Sequence, residues 1–117
     1  MDKVYHLSSC DTCRKILASL PENSLELIDI RQNPPSEKEV DDLAEKAGSY
    51  QALFSRRAQR YKSYGLKDQT LTETDYKKYL LDHYTFLSRP VFVIDGKTYV
   101  GNSKQNVENV IAALKNV

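Results

Sequence analysis

Apolar positions along the chain switch between two spacings, and the switches mark the elements. Lys3-Val4-Tyr5-His6-Leu7 has the β-branched and aromatic content of a short strand, and Ser8-Ser9 breaks the run. From Cys13 the apolar residues fall at Cys13, Ile16, Leu17 and Leu20, the i, i+3, i+4, i+7 spacing of a helix face, and Pro21 ends it. This predicts a helix that starts at or just after Cys10-Asp11-Thr12-Cys13. Leu25-Glu26-Leu27-Ile28-Asp29-Ile30 is apolar enough for a buried strand, and the prolines of Arg31-Gln32-Asn33-Pro34-Pro35 favour an extended connection after it. The chain therefore opens with a strand–helix–strand unit.

The middle reads as a helical block over about residues 36–84. Ser36-Glu37-Lys38-Glu39 is a capping box, followed by a buried stripe of Val40, Leu43, Ala44 and Ala47 and a stop at Gly48. A short helix around Gln51–Phe54 precedes Arg56–Lys67, which holds Arg56, Arg57, Arg60, Lys62 and Lys67 and no acid. Thr72 can cap a further helix, with Leu71 and Tyr76 as a hydrophobic staple and Tyr76, Tyr79, Leu80 and His83 on one face. Strand chemistry then returns: Val91–Ile94, the turn Asp95-Gly96, and Lys97–Val100 form an antiparallel hairpin. Beyond Gly101-Asn102-Ser103, Val107, Val110, Ile111 and Leu114 mark a last helix. The order is β-α-β, helical block, β-β-α. Because the second half of the sheet lies beyond the helical block, residues 1–117 read as one domain with an inserted helical subdomain at about 34–87.

Composition narrows the class. The 117 residues, with 40% hydrophobic and 28% charged, suit one ordinary globular domain. The longest apolar run, Val110–Leu114, is far short of the roughly 20 residues of a membrane span. A net charge of +1 offers no long-range attraction for nucleic acid or an anionic membrane, so any anion site must be local. The first residues lack a basic segment followed by an apolar stretch, which leads to the expectation of a reducing cytoplasm.

In that setting Cys10-Asp11-Thr12-Cys13, between a strand and a helix, reads as redox-active. A thiolate at a helix N-terminus faces unpaired N–H groups and the positive end of the helix dipole, which lowers its pKa from about 8.5. Cys10 is the natural nucleophile. Cys13 begins the buried stripe and suits a resolving thiol. Arg14 adds positive charge near Cys10, and Asp11 opposes it. Other readings of the pair are a structural disulfide, a zinc site, for which the chain offers only His6 and His83 as further ligands, and two small buried residues without chemistry. His6, four residues before Cys10, either polarises the thiol or is a satisfied rim histidine on the face of Val4. Arg89, just before Pro90, has the planar fork that suits an oxyanion or carboxylate. The basic run Arg56–Lys67, with Tyr61 and Tyr64 interleaved, is either a solvated helix face or a surface for nucleic acid or protein.

Taken in order over nearly the whole chain, five pieces resemble the arsenate reductase (ArsC-like) family, a thioredoxin-fold group that includes Spx-type transcription regulators. They are the first strand with the Cys10 and Arg14 spacing, Tyr61-Lys62-Ser63-Tyr64-Gly65-Leu66, Ser88-Arg89-Pro90-Val91, Asp95-Gly96-Lys97, and Val100-Gly101. The resemblance implies an α/β thioredoxin-like fold with a small mixed sheet, an inserted helical subdomain, and a cis Pro90 facing the cysteine loop. By position, Cys10 matches the nucleophile that attacks arsenate, Arg14 an arginine beside it, Arg89 an arginine that holds the oxyanion, and His6 a histidine four residues before the nucleophile. In that family glutathione, as co-substrate, then resolves the adduct and glutaredoxin regenerates the thiol, so the resemblance implies glutathione and a glutaredoxin or thioredoxin as partners, and no bound cofactor, metal or nucleotide. Leu7 and Ser8 replace the family's Asn and Pro, Ser55 stands at its helical-block arginine, and no arginine follows Gly101. Ser55-Arg56-Arg57 and Cys10–Lys15 lie closer to the Spx-type and uncharacterised branches, where Arg57 is the equivalent basic residue. In a Spx-like protein the Cys10–Cys13 pair is a switch and the partner is RNA polymerase.

Overall fold

Strand and helix spacings resolve into β1 (Lys3–His6), α1 (Asp11–Ser19), β2 (Glu26–Asp29), α2 (Glu37–Ala47), α3 (Gln59–Ser63), α4 (Glu73–Asp82), β3 (Val91–Ile94), β4 (Lys97–Val100) and α5 (Lys104–Lys115). The structure is a computed structural model and describes residues 2–115. Up to Asn33 and again from Arg89 the chain forms one compact unit; Pro34–Ser88 forms a second.

In the first unit four strands make a mixed sheet in the order β2-β1-β3-β4. β1 and β2 run parallel, with Lys3 opposite Glu26 and His6 opposite Asp29, so α1 is the crossover that parallel pairing demands. β3 returns antiparallel to β1, with Val4 opposite Phe92 and Tyr5 opposite Val91. The β3–β4 hairpin turns at Asp95 (φ 50°) and Gly96 (φ 77°), the pair of left-handed residues that matches the twist of the flanking strands. On one face Val4, Phe92 and Ile94 meet Ile16 of α1 and Val110 of α5 in a buried cluster. All four β3 residues are buried, as a central strand requires.

The second strand departs from its reading as buried. β2 takes the edge of the sheet, and with a neighbour on one side only its Glu26 is exposed and its Leu27 is 59% exposed. The apolar residue that reaches the interior is Ile30, one position past the strand.

The second unit carries its own caps and core. Ser36 and Glu39 close a capping box on α2, which ends at Gly48 with φ 105°. Thr72 caps α4, and its partner in a second box is Asp75. His83 does not continue the apolar face of α4. Its backbone turns extended (φ −153°) and its ring accepts the Thr85 N–H, capping the 3-10 turn Tyr84–Phe86. Phe54 stacks on Phe86 (5.4 Å between centroids) and meets Tyr76 edge-on (4.9 Å). The two tyrosines of the basic run join this core: Tyr61 lies 5.9 Å from Phe54, and Tyr64 lies 5.9 Å from Phe86. Arg56, Arg57, Lys62 and Lys67 are left exposed.

Candidate functional site

The cysteine loop begins where β1 stops. After His6 the chain turns, and the Cys10 N–H donates to the Leu7 carbonyl at 3.0 Å. Cys10 is the N-cap of α1: its backbone is extended (φ −90°, ψ 115°) and its carbonyl accepts the Arg14 N–H at 3.1 Å. Its sulfur stands at the helix N-terminus, where the backbone N–H of Cys13 in the first turn favours the charged form. Cys13, in the first turn, is fully buried, and both residues are free thiols.

The two thiols are pushed in opposite directions. Burial raises Cys10, but hydrogen bonds from the Cys13 backbone and thiol and from the Arg89 guanidinium outweigh it, and the net shift is downward from 9.0. Cys13 is driven up by burial to about 11, against a hydrogen bond from the Leu7 backbone, and the Cys10 charge adds to the rise. The pair therefore holds its first negative charge on Cys10 and keeps a proton on Cys13.

Sheet register explains how Arg89 arrives there. With Tyr5 opposite Val91, the residues entering β3 pass beside those leaving β1, so Arg89 reaches the turn that carries Cys10. The Arg89–Pro90 peptide bond is cis, and the Pro90 carbonyl accepts the Gly101 N–H at 2.9 Å. Arg14 lies exposed on the first turn of α1. Its guanidinium pairs with Asp11 and donates to the Ser8 carbonyl at 3.0 Å. The cation hydrogen-bonded to the sulfur is Arg89.

His6 lies opposite Asp29 in the β1–β2 ladder, and its charge is felt by that carboxylate. Arg57 belongs to the second unit, on the exposed turn before α3, where its N–H donates to Ser55 Oγ at 3.3 Å. One residue went unnoticed in the sequence. Asp29 accepts the Ser8 hydroxyl at 2.6 Å, tying the cysteine turn to the end of β2. An acid at the C-terminal end of a parallel strand, where α/β folds gather their sites, is the signal that could have found it. Among the described residues no cluster of His, Cys, Asp and Glu could hold a metal ion, and no helix is long and apolar enough to cross a membrane.

A thiol pair at the helix after the first strand, with a cis proline leading into an antiparallel hairpin of the same mixed sheet, defines a thioredoxin-like thiol protein. The ArsC family model matches residues 5–110, and the chain belongs to that family. The chain is 28% identical over 113 residues to the arsenate reductase of Neisseria meningitidis, covering 93% of this chain and 97% of that protein. It is 26% identical to the uncharacterised protein YfgD of Escherichia coli, over 93% of this chain and 95% of the relative. Among solved structures, the arsenate reductase from Vibrio cholerae superposes with a TM-score of 0.78 at 23% identity, over 97% of each chain, a likeness of fold.

Proposed function

We propose that this chain is a thiol-dependent oxidoreductase that reduces arsenate at Cys10, with glutathione as co-substrate. The observation that carries the reading is the Cys10 thiol itself: it stands at the N-cap of α1, and Arg89 and Cys13 hydrogen-bond it toward the thiolate. The relatives named arsenate reductase support the choice of electrophile. In this scheme the Cys10 thiolate attacks arsenic, an arsenate oxygen leaves as water, and Arg89 holds the remaining oxyanion with its fork. A second thiol, from Cys13 or glutathione, then attacks the Cys10 sulfur. The S–As bond breaks, arsenic keeps the electron pair, and arsenite leaves. Two thiols become one disulfide, which a glutaredoxin or thioredoxin would reduce in a reducing cytoplasm. With Cys13 held near 11, a glutathione thiol is the readier attacker at neutral pH. Arg14 supports the loop through the Ser8 carbonyl, and Arg57 enters only through the family resemblance.

Arsenite formation in the presence of arsenate, glutathione and glutaredoxin tests the reading. Wild type is expected to turn over and Cys10→Ser to be inactive; no arsenite from wild type whose Cys10 reacts normally with alkylating agents removes arsenate as the substrate. The contact between the two sulfurs favours a second reading, a redox switch whose Cys10–Cys13 disulfide changes affinity for RNA polymerase. It predicts no turnover and a difference in polymerase binding between oxidised and reduced protein.

A further inference from the structure

We propose that Asp29 is a positioning residue for Cys10: its carboxylate clasps the turn before the cysteine and so sets where the thiol stands relative to Arg89 and Cys13. The inference rests on the reading of Cys10 as the nucleophile. Asp29 ends β2, and the chain around it is pinned to β1, since the Ile30 N–H donates to the His6 carbonyl at 2.9 Å. From that anchored position Oδ2 accepts the Ser8 hydroxyl at 2.6 Å, and the Ser8 backbone N–H also points to the carboxylate. Oδ1 accepts the Arg31 N–H at 3.1 Å, which fixes the carboxylate plane. Ser8 is held from its other side as well, because its carbonyl accepts Arg14. Two residues further on, the Leu7–Cys10 hydrogen bond passes this constraint to the nucleophile.

Asp29 lies on the edge strand, and its side-chain hydrogen bonds join the chain just past β2 at Arg31 to the cysteine turn at Ser8. The hydrogen bonds that stabilise the Cys10 thiolate weaken steeply with misalignment, so a turn free to drift would lose them first. A carboxylate also carries a negative charge, which taken alone opposes a nearby thiolate. The two effects have opposite signs, and that makes the role testable.

The experiment measures the Cys10 thiol pKa from the pH profile of alkylation, read at Cys10 by mass spectrometry, for wild type, Asp29→Ala, Asp29→Asn and Ser8→Ala, with circular dichroism and melting curves alongside. Positioning predicts that Asp29→Ala raises the pKa by about one unit and slows alkylation at neutral pH up to about tenfold. Asp29→Asn keeps an oxygen acceptor for the turn and is expected to recover most of the loss, and Ser8→Ala, which keeps the backbone N–H, falls between. A pKa that is unchanged or lowered in folded Asp29→Ala overturns the inference, since loss of a mere negative neighbour lowers it in both Asp29 variants. Should Asp29→Ala fail to fold, an unchanged pKa in Ser8→Ala overturns it equally. If wild-type Cys10 itself titrates no lower than a free cysteine, the nucleophile reading has failed instead, so the two failures are distinguishable.

Discussion

Cys10 and Cys13 are three positions apart and titrate in opposite directions, because one has cationic and N–H partners at the mouth of a helix and the other is sealed in the core. Their linkage to stability follows with opposite signs. The folded state favours the Cys10 thiolate, so that contribution is complete above pH 9.0 and fades as pH falls through the lowered value. It disfavours the Cys13 thiolate, so stability is complete below pH 9.0 and is lost as pH rises through about 11. Urea midpoints of reduced wild type are therefore expected to drop across that alkaline window, and Cys13→Ala to lack a part of the drop worth up to roughly 2–3 kcal/mol. Parallel curves for the two proteins would refute the burial argument. Arg89 acts on the same sulfur by charge and by geometry, and a lysine separates them. Arg89→Lys is expected to weaken sulfate or arsenate binding, measured by calorimetry, by about 1.5–3 kcal/mol while leaving the melting temperature nearly unchanged. Equal binding in Arg89→Lys and Arg89→Ala to that of wild type excludes an oxyanion role.

Helix ends show where function is placed at the expense of stability. α2 and α4 start with full capping boxes, whereas α1 starts with a cysteine, whose neutral thiol is a weaker hydrogen-bond acceptor than a serine hydroxyl. The N-cap backbone at Cys10 already has the extended geometry that a serine uses to accept a first-turn N–H. Cys10→Ser is thus expected to remove the thiol chemistry and at the same time to raise stability by about 0.5–1 kcal/mol. Denaturation should be compared at a pH below the lowered Cys10 value found by titration, so that thiolate interactions contribute little to wild type. A loss of stability in this variant would mean that the sulfur packs rather than stands ready. The contrast with Ser36→Ala, where an existing box is cut and about 1 kcal/mol should disappear, supplies the scale.

For the whole molecule, the order of strands decides which apolar residues matter. Phe92 lies on β3 between two neighbours and is fully buried, whereas Leu27 lies on the edge strand and is 59% exposed. Phe92→Ala is expected to cost about 3–5 kcal/mol, a large share of the roughly 5–15 kcal/mol of a typical domain. Leu27→Lys should stay within about 0.5 kcal/mol. Chemical denaturation of the pair checks both, and a costly Leu27→Lys would place β2 deeper in the sheet than at its edge. Strand order also brings β3 back beside β1 and so delivers Arg89 to a loop almost eighty residues earlier in the chain.

The chain alone determined those features that depend on near neighbours. Helix periodicity, the Ser36–Glu39 box, the Asp95-Gly96 turn and the cysteine pair at a helix start all involve groups within a few residues of one another, where spacing and backbone preference suffice. What the tertiary structure alone decided depends on which distant ends meet. Leu27 reads as apolar whether its strand is central or at an edge, and sheet order made it an edge. His83 fits the helical spacing of Tyr76 and Leu80, yet the ring caps the next turn. Arg14, near in sequence to Cys10, was drawn to Asp11 and Ser8, while Arg89, far away, came to the sulfur. Asp29 looks like an ordinary strand-end acid until parallel pairing sets it against Ser8. Charges and hydrogen-bonding groups act through space over a few ångströms, and only the folded sheet settles which of them are that close.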